Sequence, residues 1–161
     1  MKLGNTFKSA AAAIAVCMLG LATSANAATA TSNFTVSATV VATCTIGATN
    51  LGFGNYTGTQ TDSSSTITVT CTNSTGYTVG LSSGSGTVAA RKMTSGAASL
   101  NYSLTTDAAR ANNWTDIGGG NVATGTGAGS AQTLTVFGRI PGAQYPTPGA
   151  YTDTITATVS Y

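Results

Sequence analysis

Residues 33 to 44 read NFTVSATVVATC, and along this stretch Phe34, Val36, Ala38 and Val40 are apolar while Thr35, Ser37 and Thr39 stand between them. A period of two is the pattern of a β-strand with one apolar face. That face has to be covered by something. Either the segment is the first strand of this chain's own sheet, or it leaves and completes the sheet of another molecule. The two readings separate a monomer from a polymer.

The residues before it have a different character. Lys2 and Lys8 give a basic start, Ala10 to Leu21 is apolar, and Ala25-Asn26-Ala27 has the small-x-small form of a signal-peptidase site. Residues 1–27 are expected to be a secretory signal, with a retained helix as the alternative; the apolar run is short for a bilayer span. Residues 28–161 remain, a length suited to one domain with one core.

Within that remainder Arg91, Lys92, Arg110 and Arg139 are balanced by Asp62, Asp107, Asp116 and Asp153. Nucleic-acid affinity needs clustered Lys and Arg that displace counterions, so a neutral chain with scattered cations excludes that partner. Low charge also weakens repulsion between copies, which suits a subunit that assembles. With Cys17 leaving in the signal, Cys44 and Cys71 remain, an even pair in an exported chain. One bridge is the simplest reading and two buried thiols are the alternative. In the loop-closure picture a bridge of this span stabilises the fold by roughly 3–4 kcal/mol.

Beyond the signal there is neither His nor Glu. A serine hydrolase of the usual kind needs an imidazole to take the nucleophile's proton, and common zinc sites need His or several thiolates. No catalytic residue, metal, cofactor or small-molecule substrate is expected. Asp107 and Asp116 as a glycosidase-like carboxylate pair is the weaker reading beside turn formers and surface charges. GTGAG, residues 125–129, lacks the flanking strand, helix and Lys of a phosphate-binding loop and reads as a flexible loop. Trp114, beside Asn112 and Asn113, is either a glycan contact or, as tryptophans usually are, a packing anchor. The tyrosines at 56, 77, 102, 145, 151 and 161 are expected mostly to cap the core.

Short β patterns follow one another along the rest of the chain. TITVTC (66–71), GYTVGLSS (76–83), LNYSL (100–104), QTLTVFGRI (132–140) and YTDTITATVSY (151–161) each alternate, the last placing Tyr151, Ile155, Ala157, Val159 and Tyr161 in one register. GTQTDSSS (58–65), SSGSG (82–86) and GGGNVATGTGAGSA (118–131) read as loops by composition, and 107–112 as a helical turn at most. Strands of this length and spacing predict an all-β antiparallel sandwich.

The ordered set CTIGATNLGFGNYTG (44–58), ITVTCTNSTGYTVGLSSG (67–84), ARKM (90–93), LNYSLTTDAARANNW (100–114) and FGRIPGAQYPTPGAYTDTITATVSY (137–161) resembles the spore coat protein U domain family, whose members are similar to archaic chaperone-usher pilus subunits. Thr105 stands where the family usually has an aromatic, and Thr115 where Gly often follows the Trp. The resemblance implies an immunoglobulin-like sandwich lacking its last strand. A periplasmic chaperone, and then the N-terminal segment of another copy or a related pilin, would complete it, with secretion through an outer-membrane usher to the cell surface. On that reading residues 28–42 are the donor extension, with plug residues Phe34, Val36, Ala38 and Val40. Residues 43–161 are the domain, and Ile155, Ala157, Val159 and Tyr161 line or adjoin its acceptor groove. The chain stops at Tyr161 straight after its last predicted strand, so no seventh strand of its own is expected from that end. The alternatives are a secreted spore or cell-surface coat protein that does not form pili, and a small sugar-binding module using Trp114.

Overall fold

The structure, a computed structural model, describes residues 27–161. Apart from Ala27, the signal expected over 1–27 lies outside the described residues. The chain divides into two units, ending at Ala38 and beginning at Thr39. The described part of the first, 27–38, has no strand or helix. The second holds eight strands: β1 (Cys44–Ala48), β2 (Thr61–Cys71), β3 (Gly76–Leu81), β4 (Arg91–Ser95), β5 (Ala98–Thr105), β6 (Ala123–Thr126), β7 (Ala131–Ile140) and β8 (Ala157–Ser160). One sheet has the order β1-β2-β7-β5-β4 and the other β6-β3-β8, and every pairing is antiparallel.

The two-residue period predicted from the sequence sets the faces. Ile67, Val69 and Cys71 from β2, Leu100, Tyr102 and Leu104 from β5, and Val136 and Ile140 from β7 meet Tyr77, Val79 and Leu81 from β3 in one buried cluster. Thr66, Thr68 and Thr70 point the other way, β-branched residues that suit a pleated outer face without adding charge. Cys44 stands directly opposite Cys71 in the β1–β2 register, and the two form the expected disulfide.

Several boundaries differ from those read in the sequence. Asp62 to Ser65, expected in a loop, belong to β2, because Ser63, Ser64 and Ser65 pair with Gly138, Phe137 and Val136. Asp62 there takes a two-pronged hydrogen bond from Arg139 at 2.7 and 2.9 Å. Part of the expected 118–131 loop is β6, and GTGAG is tied down: the ring of Tyr77 lies where a Cβ on Gly125 would sit, and Gly127 exchanges backbone hydrogen bonds with Thr75 and Ser74. CTIGA and RKMTS form edge strands that the periodicity did not mark. Residues 107–112 make a single turn, whose amides at Ala111 and Asn112 donate to the Asp107 carboxylate. In 151–161 only Ala157–Ser160 is strand.

Trp114 is 1 % exposed and donates from Nε1 to the Val79 carbonyl at 2.9 Å. Its own amide donates to Leu104, so it links the two sheets. No ring face is open for a sugar, and the glycan contact gives way to the packing anchor. Thr105, in the position of the family aromatic, is buried and donates to Asp107 and Phe137 carbonyls. Thr115 accepts from Leu81 through its carbonyl and from the Asn121 amide through its hydroxyl.

Arg91, one of the four cations scattered along the sequence beyond the expected signal, is wholly buried. Its guanidinium donates to the carbonyls of Leu81, Ser82, Val88 and Trp114, closing the end of β3 onto the Trp114 segment. Burial lowers its pKa. The fixed fork of donors explains why Arg serves here and Lys would not.

Two outcomes follow. Arg91→Met strands the buried carbonyls of Leu81 and Trp114 and the part-buried ones of Ser82 and Val88, and is expected to cost about 2–4 kcal/mol in urea unfolding. Asp62 and Asp107 both titrate below the usual aspartate value of 3.8, the first through its bond from Arg139 and the second through the amides of Ala111 and Asn112. A folded pKa below the unfolded one gives stability that is present above the unfolded value and lost as pH falls through the folded one. With no His or Glu in the chain, the thermal midpoint is expected to hold between about pH 5 and 8 and to drop below about pH 4; a scan of midpoint against pH checks this.

Candidate functional site

β1 pairs only with β2 and β8 only with β3, so among the described residues each leaves one backbone edge without a strand partner. These two edges approach within 8 Å at Cα but do not hydrogen-bond as a ladder. Beyond them the chain forms two walls, a near wall continuing from β1 over 48–58 and a far wall over 144–157 that leads into β8. Neither wall carries a named strand outside β1 and β8, and the far wall's one bridge is Thr152 to Thr94.

Between the walls lies a groove with two compartments that share Leu51, Phe53, Met93 and Tyr151. The inner one, about 330 Å³, has Ile67, Leu81, Tyr102, Leu104 and Val136 of the core as its floor. The outer one, about 870 Å³, has Leu100 and Ile140 beneath it and Tyr56, Tyr145 and two prolines at its rim. Leu51 and Phe53 are held low because Gly138 of β7 has no Cβ; one there would stand 2.9 Å from each. Ser63 fixes the same stretch by donating to the Gly52 carbonyl at 2.7 Å.

The far wall is held by polar groups where it lacks ladder bonds. Asp153 accepts from the Tyr102 hydroxyl at 2.6 Å, from the Ser85 amide and hydroxyl at 3.0 and 2.9 Å, and from the Thr154 amide at 2.9 Å. Burial first, and then the bond to Asp153, pushes the Tyr102 phenol above its ordinary value. At the outer end the Gln144 amide group pairs with both backbone groups of Asn101, covering the edge of β5 that β7 leaves free when it ends before Pro141. Nothing in the composition marked Asp153 or Gln144 as different from other polar residues. The nearest signal was the GAYTDT run around Asp153.

Of the predicted groove residues, Ile155 and Ala157 line the inner compartment. Val159 packs on the core opposite Val79, and Tyr161 lies past the last strand, 59 % exposed. Among the tyrosines expected to cap the core, Tyr77 and Tyr102 are buried and Tyr56 and Tyr151 half-buried, whereas Tyr145 is 84 % exposed. Phe34, Val36 and Val40 are 87 %, 82 % and 87 % exposed, Ala38 is exposed too, and 27–43 contains no strand. An apolar floor between two open backbone edges is built to take an extended peptide, whose main chain bonds the edges while alternate side chains fill the floor.

The family described as Spore Coat Protein U domain matches residues 30–158. No curated protein matches the chain. Among solved structures, the chain is similar to one in the CsuC–CsuE chaperone–tip adhesion subunit pre-assembly complex from archaic chaperone-usher Csu pili of Acinetobacter baumannii. The TM-score is 0.55 at 24 % identity, and the match covers 76 % of this chain and 40 % of that chain. The chain thus spans well under half the length of the structure it matches. The shared fold agrees with the immunoglobulin-like sandwich expected from the sequence.

Tyr102→Phe removes a bond to the Asp153 carboxylate. It is expected to cost about 1.5–3 kcal/mol and to speed hydrogen exchange of the 153–157 amides by at least about tenfold. Because the folded phenol is raised, it contributes stability that is full below about pH 10 and lost above it. The variant is expected to lose that part of the alkaline decline.

Proposed function

This chain belongs to the Spore Coat Protein U domain family, and we propose that it is a structural subunit of a secreted surface fibre built by a chaperone-usher pathway through donor-strand complementation. Its role is structural and not catalytic. The observation that carries the reading is the coincidence of an open apolar groove with an exposed arm of the right period. The far wall turns Tyr151, Asp153, Ile155 and Ala157 inward at alternate positions. Phe34, Val36, Ala38 and Val40 alternate over the same number of residues, roughly 20 Å of extended chain.

Chain polarity supports donation between copies. The near wall rises from the inner to the outer compartment while the far wall descends, so the walls are antiparallel. A strand antiparallel to the far wall keeps the β6-β3-β8 sheet uniformly antiparallel, the slightly stronger pairing. It places Phe34 toward Ala157 and Val40 toward Tyr151. The arm's own root is at the other end, since Thr43 hydrogen-bonds Thr72 beside the Cys44–Cys71 bridge. Three residues from Val40 to Thr43 reach about 10 Å, whereas Cys44 to Leu51, which faces Tyr151, is roughly 20 Å of extended wall. In this polarity the arm serves a second copy.

Burying Phe34, Val36 and Val40 contributes about 1.5–3 kcal/mol each, and ladder hydrogen bonds about 1 kcal/mol each, before the cost of association. Dissociation then resembles unfolding and the joint is kinetically durable. An empty groove is an aggregation hazard, which a periplasmic chaperone covers until an outer-membrane usher passes the subunit to the surface. Residues 1–27 direct export, 28–42 form the donor extension, and 43–161 form the accepting domain.

Fusing residues 30–41 after Tyr161 through a two-residue turn lays the arm antiparallel to β8 in that register. The product is expected to be a monomer more stable than the parent by at least about 5 kcal/mol from side-chain burial alone. In cells, deletion of 28–41 and Val36→Asp are each expected to abolish the heat-resistant ladder on denaturing gels while export continues. A normal ladder from Val36→Asp counts decisively against the plug. A deletion variant that no longer folds points to a coat monomer with an ordinary first strand.

A further inference from the structure

We infer that consecutive copies make a second contact besides the shared strand: the rim around Tyr145 of the accepting copy seats the Thr72–Thr75 turn of the donating copy. This rests on strand donation as proposed above. With Val40 opposite Tyr151, at the boundary of the two compartments, the rest of the donated arm heads out across the outer compartment. Only Val41 and Ala42 then separate it from Thr43, which is pinned to the body of its own molecule. The Thr43 carbonyl accepts from the Thr72 amide at 2.9 Å, the Thr43 amide donates to the Thr72 hydroxyl at 3.2 Å, and the next residue is in the disulfide. At about 3.3–3.6 Å per residue, the tether holds the donor's Thr72 turn within roughly 10–11 Å of the place where the arm emerges. The bodies therefore meet there.

Both surfaces are rigid. Two of the chain's three prolines, 146 and 148, lie in this rim and the third, Pro141, stands just before it. Tyr56 donates to the Pro141 carbonyl at 2.7 Å, Gln144 grips Asn101, and Tyr151 donates to the Thr147 carbonyl at 2.6 Å. On this frame Tyr145 is 84 % exposed, with its ring laid across Gly58, whose φ of +89° and missing Cβ make room for it; a Cβ would stand 2.8 Å from the ring. An aromatic presented on a stiff loop loses little entropy on docking and is typical of interface anchors. The opposing turn is braced by the Thr72 and Thr75 hydroxyls at 2.6 Å, by the Ser74 amide donating to the Gly127 carbonyl and by the Gly127 amide donating to the Thr75 carbonyl. Neither surface has a charged side chain, so copies do not repel as they meet.

The test pairs Tyr145→Cys with Asn73→Cys, an exposed position in the turn. Secreted fibres are boiled without reductant, and the polymer is compared with a pair that moves the second cysteine to Ser64 on the outer face of β2. Covalent dimers and higher multimers are expected from the first pair, at least about tenfold above the second. A Gly-Ser-Gly-Ser insertion between Ala42 and Thr43 is expected to preserve the unboiled ladder, remove most of that cross-linking, and shorten the fibre's persistence length in electron micrographs severalfold. A normal ladder without cross-links, or an insertion that leaves cross-linking and stiffness unchanged, overturns the contact. Loss of the ladder in the unmodified protein overturns strand donation instead. If the cysteine pair impairs assembly, the insertion variant alone decides through the persistence length.

Discussion

Two backbone edges that face each other and share no ladder are the constraint on which the rest of this protein depends. A sheet edge is an unsatisfied row of donors and acceptors, and here two such rows stand over the floor of the core. In a closed sandwich a strand would lie between the wall that continues β1 and the wall that leads into β8, and would cover Ile67, Leu81, Leu104 and Val136. The domain instead leaves part of its interior open along one seam.

A fold opened along a seam needs other means to hold its parts. Arg91 closes the end of β3 through four carbonyls, Trp114 links the sheets through Val79 and Leu104, and the disulfide joins β1 to β2. Asp153 and Gln144 do for the far wall and rim what ladder bonds do in a regular strand. Small residues complete the arrangement: Gly138 lets Leu51 and Phe53 settle onto β7, and Gly125 accepts the ring of Tyr77. These fixings gather on the walls and ends and leave the seam itself open.

The surface has the same logic. Threonine and serine cover the outer faces where charged residues would be usual, so the surface carries little charge to repel another molecule of its kind. The Asp62–Arg139 pair lies in the open and acts locally, whereas Arg91, the one deeply buried charge among the described residues, is satisfied by dipoles instead of a counter-ion.

Much was legible from sequence alone because burial imposes a period of two. The alternation in TITVTC, GYTVGL, LNYSL and TLTVFGRI named most of the core, the pair of cysteines beyond the expected signal pointed to the bridge, and the alternation of Phe34 to Val40 marked a segment with an apolar face to cover. The absence of His and Glu removed the usual routes to catalysis. Loop composition misled at Ser63–Ser65 and Ala123–Thr126, since pairing with a neighbouring strand overrides weak local preference. The burial of Arg91, the latch at Asp153, the covering of Asn101 by Gln144 and the display of Tyr145 depend on contacts between residues far apart in the chain. Local pattern carries no record of such contacts. The sequence by itself determined which faces must be covered; only the tertiary structure decided which edges remain open, because an edge is defined by the neighbour it lacks.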